Sequence, residues 1–146
     1  MATNTNIVIK NLDTLEAMLE AYPLVSQMYN KMDFASYKEN VREMIALNNF
    51  KMVGAFLDDE LVGVSGYWVS FMLYCGRYLQ VSNFVVDKNI RGKGIGRRVM
   101  RHLEQMARDL NCQKFVLDSY TENKKSHPFY FSEGFYIRGF HFMKDL

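Results

Sequence analysis

The sequence predicts an α/β (α+β) fold in which a mixed, mostly antiparallel central sheet of six or seven strands is flanked by about four helices. Short runs of β-branched and aromatic residues, separated by turn residues, predict the strands. Stretches with apolar residues at helical spacing predict the longer helices. Residues 81–110 combine both signals around a glycine-rich loop. With 146 residues, the chain is long enough for one domain, residues 1–146, whose core needs no disulfide.

The first half of the chain predicts a short strand, two helices and a β-hairpin. In chain order these are a strand over residues 6–10, a helix over 15–21, a link over 25–33, a helix over 34–47, and hairpin strands over 51–57 and 61–74. Tyr22-Pro23 is expected to end or bend the first helix, because the residue before a proline disfavours helical backbone. Asp58, Asp59 and Glu60 form the hairpin turn.

The second half predicts a βαβ unit, which is expected to be right-handed, and then a helix and a last strand. The elements are a strand over residues 78–86, a helix over 95–110, a strand over 113–120, a short helix over 128–133 that Gly134 ends, and a strand over 136–143. Strict alternation in the strand over 78–86 predicts two faces. One carries Gln80, Ser82, Phe84 and Val86, and the other carries Leu79, Val81, Asn83 and Val85.

Composition excludes several classes of function. A formal net charge of +2 is too small to favour nucleic acid as a partner. Three scattered histidines have no metal-ligand spacing, so no metal is expected. Cys75 and Cys112 are expected to be reduced, and neither a signal-peptide core nor an apolar run of about 18 residues is present. We therefore expect a cytoplasmic protein that binds no membrane, as a monomer or homodimer.

The glycine-rich loop is the strongest indication of function. Gly92, Gly94 and Gly96 precede a helix whose first N–H groups lack partners inside the helix, and such a helix start attracts anions. Basic side chains surround the same point: Arg91, Lys93, Arg97 and Arg98. The loop therefore predicts a pyrophosphate site, with a purely structural connection as the alternative. No P-loop is present, and GxGxxG fails by one residue, although Asp118 lies where a dinucleotide ribose would bind.

Two motifs resemble those of the GNAT acyltransferases. Arg91-Gly-Lys-Gly-Ile-Gly96 after a strand is similar to motif A, which holds the pyrophosphate of acetyl-CoA in that family. Residues 123–135 resemble N-x-x-A-x-x-F-Y-x-x-x-G-F, with Ser126 in place of the usual alanine. The resemblance covers residues 50–146 well and the first fifty in outline. It implies an N-acetyltransferase that takes acetyl-CoA as donor.

By this resemblance, one set of residues would bind the acetyl-CoA. Backbone groups of residues 84–86 would pair with the pantetheine arm, Asn123 would bond to it, and Tyr130 would protonate the departing thiolate, a role that suits a phenol with a pKa of about 10. The expected cofactor residues are Phe84, Val85, Val86, Arg91, Gly92, Lys93, Gly94, Ile95, Gly96, Arg97, Asn123, Ser126, Phe129 and Tyr130.

The sequence does not identify the general base, because Gln80 stands where many GNAT relatives have a glutamate. Asp118 and His141 are preferred as replacements, since both are expected near the cofactor cleft. Glu43, His127 and a water chain are the other candidates. Because Gln80 is not a base, a non-catalytic acyl-CoA sensor is the alternative function, and an NAD(P)-binding oxidoreductase is a less favoured one.

The resemblance also bears on the acceptor. The first two helices and their link would form one wall of its pocket, which would be rich in methionine and aromatic residues: Met28, Tyr29, Met32, Phe34 and Tyr37. The C-terminal residues are similar to a small-molecule branch of the family that includes the aminoalkylphosphonate acetyltransferases. The expected acceptor is therefore a small-molecule amine.

Overall fold

The computed structural model describes residues 6–146. Residues 1–5, part of the N-terminal segment that is expected to lack a signal-peptide core, lie outside the described residues. The elements in chain order are β1 (Ile7–Asn11), α1 (Leu15–Leu19), α2 (Tyr22–Met28), α3 (Phe34–Asn48), β2 (Lys51–Leu57), β3 (Glu60–Met72), β4 (Gly76–Val86), α4 (Ile95–Asp109), β5 (Lys114–Leu117) and α5 (His127–Ser132).

The described strands form one mixed sheet in the order β1-β2-β3-β4-β5. The first three pairings are antiparallel, and β4 pairs with β5 in parallel across helix α4. This confirms the predicted fold class. Residues 6–146 contain five strands rather than six or seven, because residues 136–143 form no strand. Within residues 6–146 no strand pairs with them, and their large apolar side chains are exposed.

The N-terminal helices differ from the prediction. Pro23 occupies the first turn of α2 instead of ending a helix, a position where its missing N–H costs no hydrogen bond. Residues 25–28, predicted as part of a link, are therefore helical. Asp33 caps α3 by accepting a hydrogen bond from the Ser36 N–H at 2.8 Å, which fixes where that helix begins.

Apolar side chains fill a layer on each face of the sheet. One layer lies under α4 and includes Val53, Leu79, Val81, Ile95, Val99 and Leu103. The other lies under α1, α2 and α3 and includes Met18, Leu24, Val25, Tyr37, Val41, Phe50 and Met52. The sheet thus lies between two apolar layers.

The predicted alternation of β4 is wrong beyond Ser82. Two residues of β4, Asn83 and Phe84, lie opposite the single residue Ser65 of β3, which defines a β-bulge. Asn83 takes a positive φ of 56° at this point. As a result, Phe84 packs in the same layer as Val81, although the predicted alternation places these two residues on opposite faces.

Candidate active site

Strands β4 and β5 separate partway along the sheet, and the gap between them forms a cleft. Their pairing ends at Val81 and Leu117, while β4 continues to Val86. Beyond that point β4 pairs with β3 on one side, and within residues 6–146 no strand pairs with its other side. The backbone of residues 82–86 therefore offers N–H and C=O groups to a ligand in the cleft.

The bulge determines which groups of β4 face this cleft. Val85 is buried against the α1–α3 layer, and Phe84 and Val86 pack in the α4 layer. All three expected cofactor residues of β4 are therefore available through their backbone and not through their side chains.

The loop between β4 and α4 presents the start of the helix to open space. Gly94 caps α4 with φ +75°, and Gly92 has φ +88°, conformations that side chains rarely adopt. A Cβ added at either glycine would meet nothing within 4 Å. The first amides of α4 are thus uncovered, and this geometry fits the diphosphate of a coenzyme A ester.

Gly96 and Ile95 differ from those two glycines. A Cβ on Gly96 would lie 3.1 Å from Phe84 Cζ and 3.5 Å from Val86 Cγ2, so the missing side chain lets α4 approach β4. Ile95 is buried in the core with only 2% of its surface exposed. These two expected cofactor residues can contribute only backbone N–H groups.

The basic residues of the loop divide into two groups. Arg91 donates from Nε to the Val86 carbonyl at 3.3 Å, which holds its side chain at the open end of β4, and Lys93 is exposed. Arg97 donates from Nε to Glu133 at 2.8 Å, and Arg101 reaches the other oxygen of that carboxylate at 3.4 Å. Arg97 therefore joins α4 to the end of α5.

Glu133 was not found by the sequence reasoning. Its side chain is only 6% exposed although both arginine partners are largely exposed, so the carboxylate is the buried centre of this ionic cluster. The sequence does show one acidic residue at the end of a short predicted helix, and several basic residues on one face of the long helix. It does not show which of these residues pair, because the pairing depends on how α5 packs on α4.

Helix α5 brings the predicted aromatic pair to the cleft. Phe129 stacks on Phe84, with ring centroids 6.1 Å apart and an interplanar angle of 9°. Tyr130 packs against Phe129 and edge-on against Phe135. Burial raises the pKa of the Tyr130 phenol above its usual value of 10. Within residues 6–146 its hydroxyl has no hydrogen-bond partner, so the proton is available to a ligand.

The loop before α5 is held by local hydrogen bonds. Ser126 donates its backbone N–H to the Asn123 carbonyl at 3.2 Å; Asn123 is exposed and Ser126 is half-buried. His127 Nε2 lies 2.9 Å from the Tyr120 carbonyl and 3.2 Å from Ser119 Oγ. His127 therefore fixes the loop that follows β5.

Asp118 and His141 come together with Gln80. Gln80 Nε2 donates to Asp118 Oδ2 at 3.2 Å, and His141 Nδ1 lies 3.8 Å from Asp118 Oδ1. The side chains of Asp118 and His141 are about two-thirds exposed, at 66% and 65%. The structure thus places the two preferred base candidates beside each other, just past the end of β5.

A pocket of about 340 Å³ opens on the other side of β4, between α2, α3 and the bulge. Its lining residues are Val25, Tyr29, Met32, Tyr37, Asn40, Val41, Glu43, Met44, Phe50, Met52, Ser82 and Asn83. Tyr29 donates from its hydroxyl to Asn83 Oδ1 at 3.0 Å. Burial, and to a smaller extent the charge interaction with Tyr120, raises the pKa of Tyr29. Of the five residues expected to form this wall, Tyr29, Met32 and Tyr37 line the pocket, and Met28 and Phe34 do not.

Metal binding and membrane crossing are two further possibilities for the described part of the chain. Among residues 6–146, no group of three His, Cys, Asp or Glu side chains is arranged to hold a metal ion. None of the helices in that range combines the length and the apolar character that crossing a bilayer requires.

Comparison with known proteins gives consistent matches. Residues 14–135 match the Acetyltransferase (GNAT) family. An uncharacterized N-acetyltransferase of Bacillus subtilis is 22% identical over 141 residues, 96% of this chain and 99% of the relative. The aminoalkylphosphonate N-acetyltransferase of Salmonella typhimurium is 24% identical over 135 residues, 91% of this chain and 88% of the relative.

A solved structure shows the same fold. An aminoglycoside N-acetyltransferase in complex with CoA has a TM-score of 0.80 at 14% identity, covering 100% of this chain and 99% of that one. The family match extends over most of the chain and includes both the glycine-rich loop and α5. The chain belongs to the acetyltransferase (GNAT) family and is an acyltransferase.

Proposed function

We propose that this protein transfers the acetyl group of acetyl-CoA to a primary amine of a small molecule, by direct attack while both substrates are bound. The observation that carries this proposal is the cleft in which β4 and β5 separate, with the uncovered start of α4 at one end and the Tyr130 phenol beside it. The pocket on the opposite side of β4 offers a second compartment for the amine.

The donor site uses backbone groups for most of its contacts. The free edge of residues 82–86 pairs with the amides of the pantetheine arm, and the first N–H groups of α4 hold the diphosphate together with Arg91 and Lys93. Asn123, which is exposed, and Ser126, which is half-buried, lie in the loop before α5 and are proposed to contact the pantetheine region. Phe129 supports this wall by stacking on Phe84.

The reaction exchanges one C–S bond for one C–N bond. Acetyl-CoA, when bound, supplies the thioester carbon that the amine nitrogen attacks, and coenzyme A leaves as the thiol. A backbone N–H at Val85 or Val86 stabilises the developing negative charge on the carbonyl oxygen, a contribution of roughly 3 kcal/mol in a site that excludes water. Tyr130 donates its phenolic proton to the sulfur and regains a proton from the nitrogen, which loses its second N–H proton as the amide forms. The raised pKa keeps the phenol protonated at neutral pH.

The amine must lose a proton before it attacks, since its pKa is near 10 in water. Asp118 and His141 lie 3.8 Å apart beyond the end of β5, and we propose that this pair receives the proton. Glu43 in the acceptor pocket is the competing acceptor of the proton. Separate Asp118→Asn, His141→Gln and Glu43→Gln variants distinguish them, because loss of the group that accepts the proton should lower kcat while leaving the Kd of acetyl-CoA nearly unchanged.

The acceptor pocket favours an amine with an apolar body. Its lining is mainly aliphatic, methionine and aromatic side chains, and Glu43 is the one charged residue among the described residues that form it. An ammonium group can therefore be attracted by Glu43, while no lysine or arginine in that lining would bind a phosphonate. We propose that the substrate differs in this respect from that of the aminoalkylphosphonate relative.

Binding is tested first with a thermal-shift screen of acetyl-CoA, CoA, NAD and NADP. A ligand at 100 times its Kd stabilises the folded protein by about 2.7 kcal/mol, so acetyl-CoA should raise Tm by several degrees while NAD and NADP have no effect. A panel of alkyl and aryl amines, assayed for thiol release, then tests turnover. Binding of acetyl-CoA without turnover on any amine would favour the acyl-CoA sensor, and the absence of any shift with acetyl-CoA would refute the proposal.

A further inference from the structure

The last turn of α2 carries a side chain, Gln27, that bonds to the loop between β4 and α4. Its Nε2 donates to Asp87 Oδ1 at 3.4 Å, and its Oε1 accepts the backbone N–H of Lys88 at 3.1 Å. One side-chain amide therefore bonds to two consecutive loop residues and uses both its donor and its acceptor. This contact joins α2, which packs on one face of the sheet, to the loop that leads into the proposed diphosphate site.

Asp87 fixes the first turn of this loop. Its backbone N–H donates to the Val62 carbonyl at 2.8 Å, which extends the contact of β4 with β3. Its Oδ1 also accepts the Asn89 N–H at 3.0 Å, and its carbonyl accepts the Ile90 N–H at 3.1 Å. Asp87 is half-buried, whereas Asn89 is exposed. Gln27 therefore bonds to the best-anchored residue of the turn.

The rest of the loop is held by few contacts. Ile90 packs in the α4 layer, but residues 91–94 are all exposed. A Cβ added at Gly92 or Gly94 would meet nothing within 4 Å. Segments with so few packed contacts open at a low free energy. The direction in which the loop presents the first amides of α4 therefore depends on how the start of the loop is fixed.

Two side chains at the end of α2 contact the chain on either side of residues 84–86. Tyr29, which follows the last residue of α2, donates to Asn83 Oδ1 at 3.0 Å, and Gln27 bonds to the start of the loop. Tyr29 lines the acceptor pocket, whereas Gln27 is not among the described residues that line it. A substitution of Gln27 therefore tests the donor side without removing a wall of the acceptor pocket.

We propose that Gln27 is a positioning residue for the donor. By fixing residues 87 and 88, it holds the loop in the orientation that directs the first N–H groups of α4 towards the diphosphate of CoA. This inference rests on the proposed function, because the diphosphate belongs to the proposed donor. A loop that is already ordered loses little freedom when the ligand binds, so the two hydrogen bonds of Gln27 strengthen binding without a contact between Gln27 and CoA.

Isothermal titration calorimetry with CoA on the full chain tests this role. Gln27→Ala removes both hydrogen bonds and should raise the Kd of CoA about tenfold, because the loop must then be ordered on binding. Ser26→Ala is the matched control, since the Ser26 hydroxyl donates to the Pro23 carbonyl of its own helix at 2.9 Å. This control should bind CoA as the unsubstituted chain does. Both variants should keep a cooperative thermal transition without CoA.

Exchange of the amide and the carboxylate separates positioning from space filling. Gln27→Glu keeps the size of the side chain but places a second negative charge beside Asp87, so it should also weaken CoA binding. Asp87→Asn alone keeps the Oδ1 acceptor and should have little effect. The double variant Gln27→Glu/Asp87→Asn restores one donor and one acceptor between the two positions, together with the original net charge. Its Kd for CoA should return to within about twofold of the unsubstituted value.

The outcomes separate this inference from the proposed function. If the unsubstituted chain gives no heat on mixing with CoA, the proposed donor site is overturned, and the role of Gln27 with it. If CoA binds equally well to the unsubstituted chain, Gln27→Ala and Gln27→Glu, only the role of Gln27 is overturned. A double variant that binds CoA as weakly as Gln27→Glu, or a Ser26→Ala control as weak as Gln27→Ala, also overturns that role.

Discussion

Glu133 joins the two helices that carry the proposed donor site, and its substitution tests how that site is held. Its carboxylate accepts hydrogen bonds from Arg97 at 2.8 Å and from Arg101 at 3.4 Å, while its side chain is only 6% exposed. A hydrogen bond to a charged partner contributes about 1.5–3 kcal/mol, and the longer second bond adds little. Glu133→Gln keeps the shape but removes the charge, so we expect the free energy of unfolding to fall by about 2 kcal/mol.

This loss should appear in both stability and activity. For a chain of this size, 2 kcal/mol lowers Tm by about 6 °C, which differential scanning calorimetry measures directly. Because α5 carries Tyr130 and α4 carries the proposed diphosphate site, a small shift between the two helices should also lower kcat/KM for acetyl-CoA. We expect a decrease of about tenfold or more, since catalytic geometry is sensitive to displacements below 1 Å.

Glu104 provides the matched control for this experiment. Glu104 accepts a hydrogen bond from Arg108 at 3.3 Å on the exposed face of α4, the helix that also carries Arg97 and Arg101. Both side chains of this pair are in contact with solvent. An exposed pair at this spacing contributes about 0.3–0.5 kcal/mol, so Glu104→Gln should lower Tm by less than about 2 °C. If both variants had the same Tm and the same kcat/KM, the argument that Glu133 positions α5 would be refuted.

Three further predictions concern single residues of the site and core. Tyr130→Phe should lower kcat by about 100-fold, as expected for loss of a general acid, while the acetyl-CoA Kd measured by calorimetry stays nearly unchanged. If kcat and the affinity for acetyl-CoA fell by the same factor, Tyr130 would have a packing role and not a catalytic one. Gly94→Ala should cost about 1–2 kcal/mol of stability because of the positive φ, and should also raise the acetyl-CoA Kd, because the new methyl group enters the open space before α4. Burial raises the pKa of Tyr37 to about 12, so its contribution to stability is complete below pH 10 and is lost as pH rises towards 12. The difference in unfolding free energy between the unsubstituted chain and Tyr37→Phe should therefore shrink by about 1 kcal/mol between pH 9 and pH 11, as measured by urea denaturation.

The elements that could be predicted from the sequence are those specified by neighbouring residues. Helix α4 begins at Ile95 as expected, because Gly92 and Gly94 supply the loop conformation and an apolar stripe follows. The hairpin of β2 and β3 was also predicted, since Asp58 and Asp59 take the positive φ values of its turn. Local chemistry is sufficient for both.

The features that were missed depend on residues far apart in the chain. The bulge at Asn83 arises because β4 has one more residue than β3 between two paired positions. The alternation of residues within β4 alone does not reveal this. The role of Glu133 depends on the packing of α5 against α4. Residues 136–143 have the pattern of a strand, but a strand also requires a neighbouring edge, and the described chain brings none into register with them.

The extra residue of the bulge lets one strand contribute to both the proposed donor wall and the proposed acceptor wall. Before the bulge, Val81 packs under α4, and without it strict alternation would direct Phe84 to the opposite layer. The bulge returns Phe84 to the α4 side, where it stacks on Phe129 and contacts Gly96. It also leaves Asn83 at the acceptor pocket, where it accepts the hydrogen bond from Tyr29. The same insertion therefore shapes the proposed donor wall and the proposed acceptor wall.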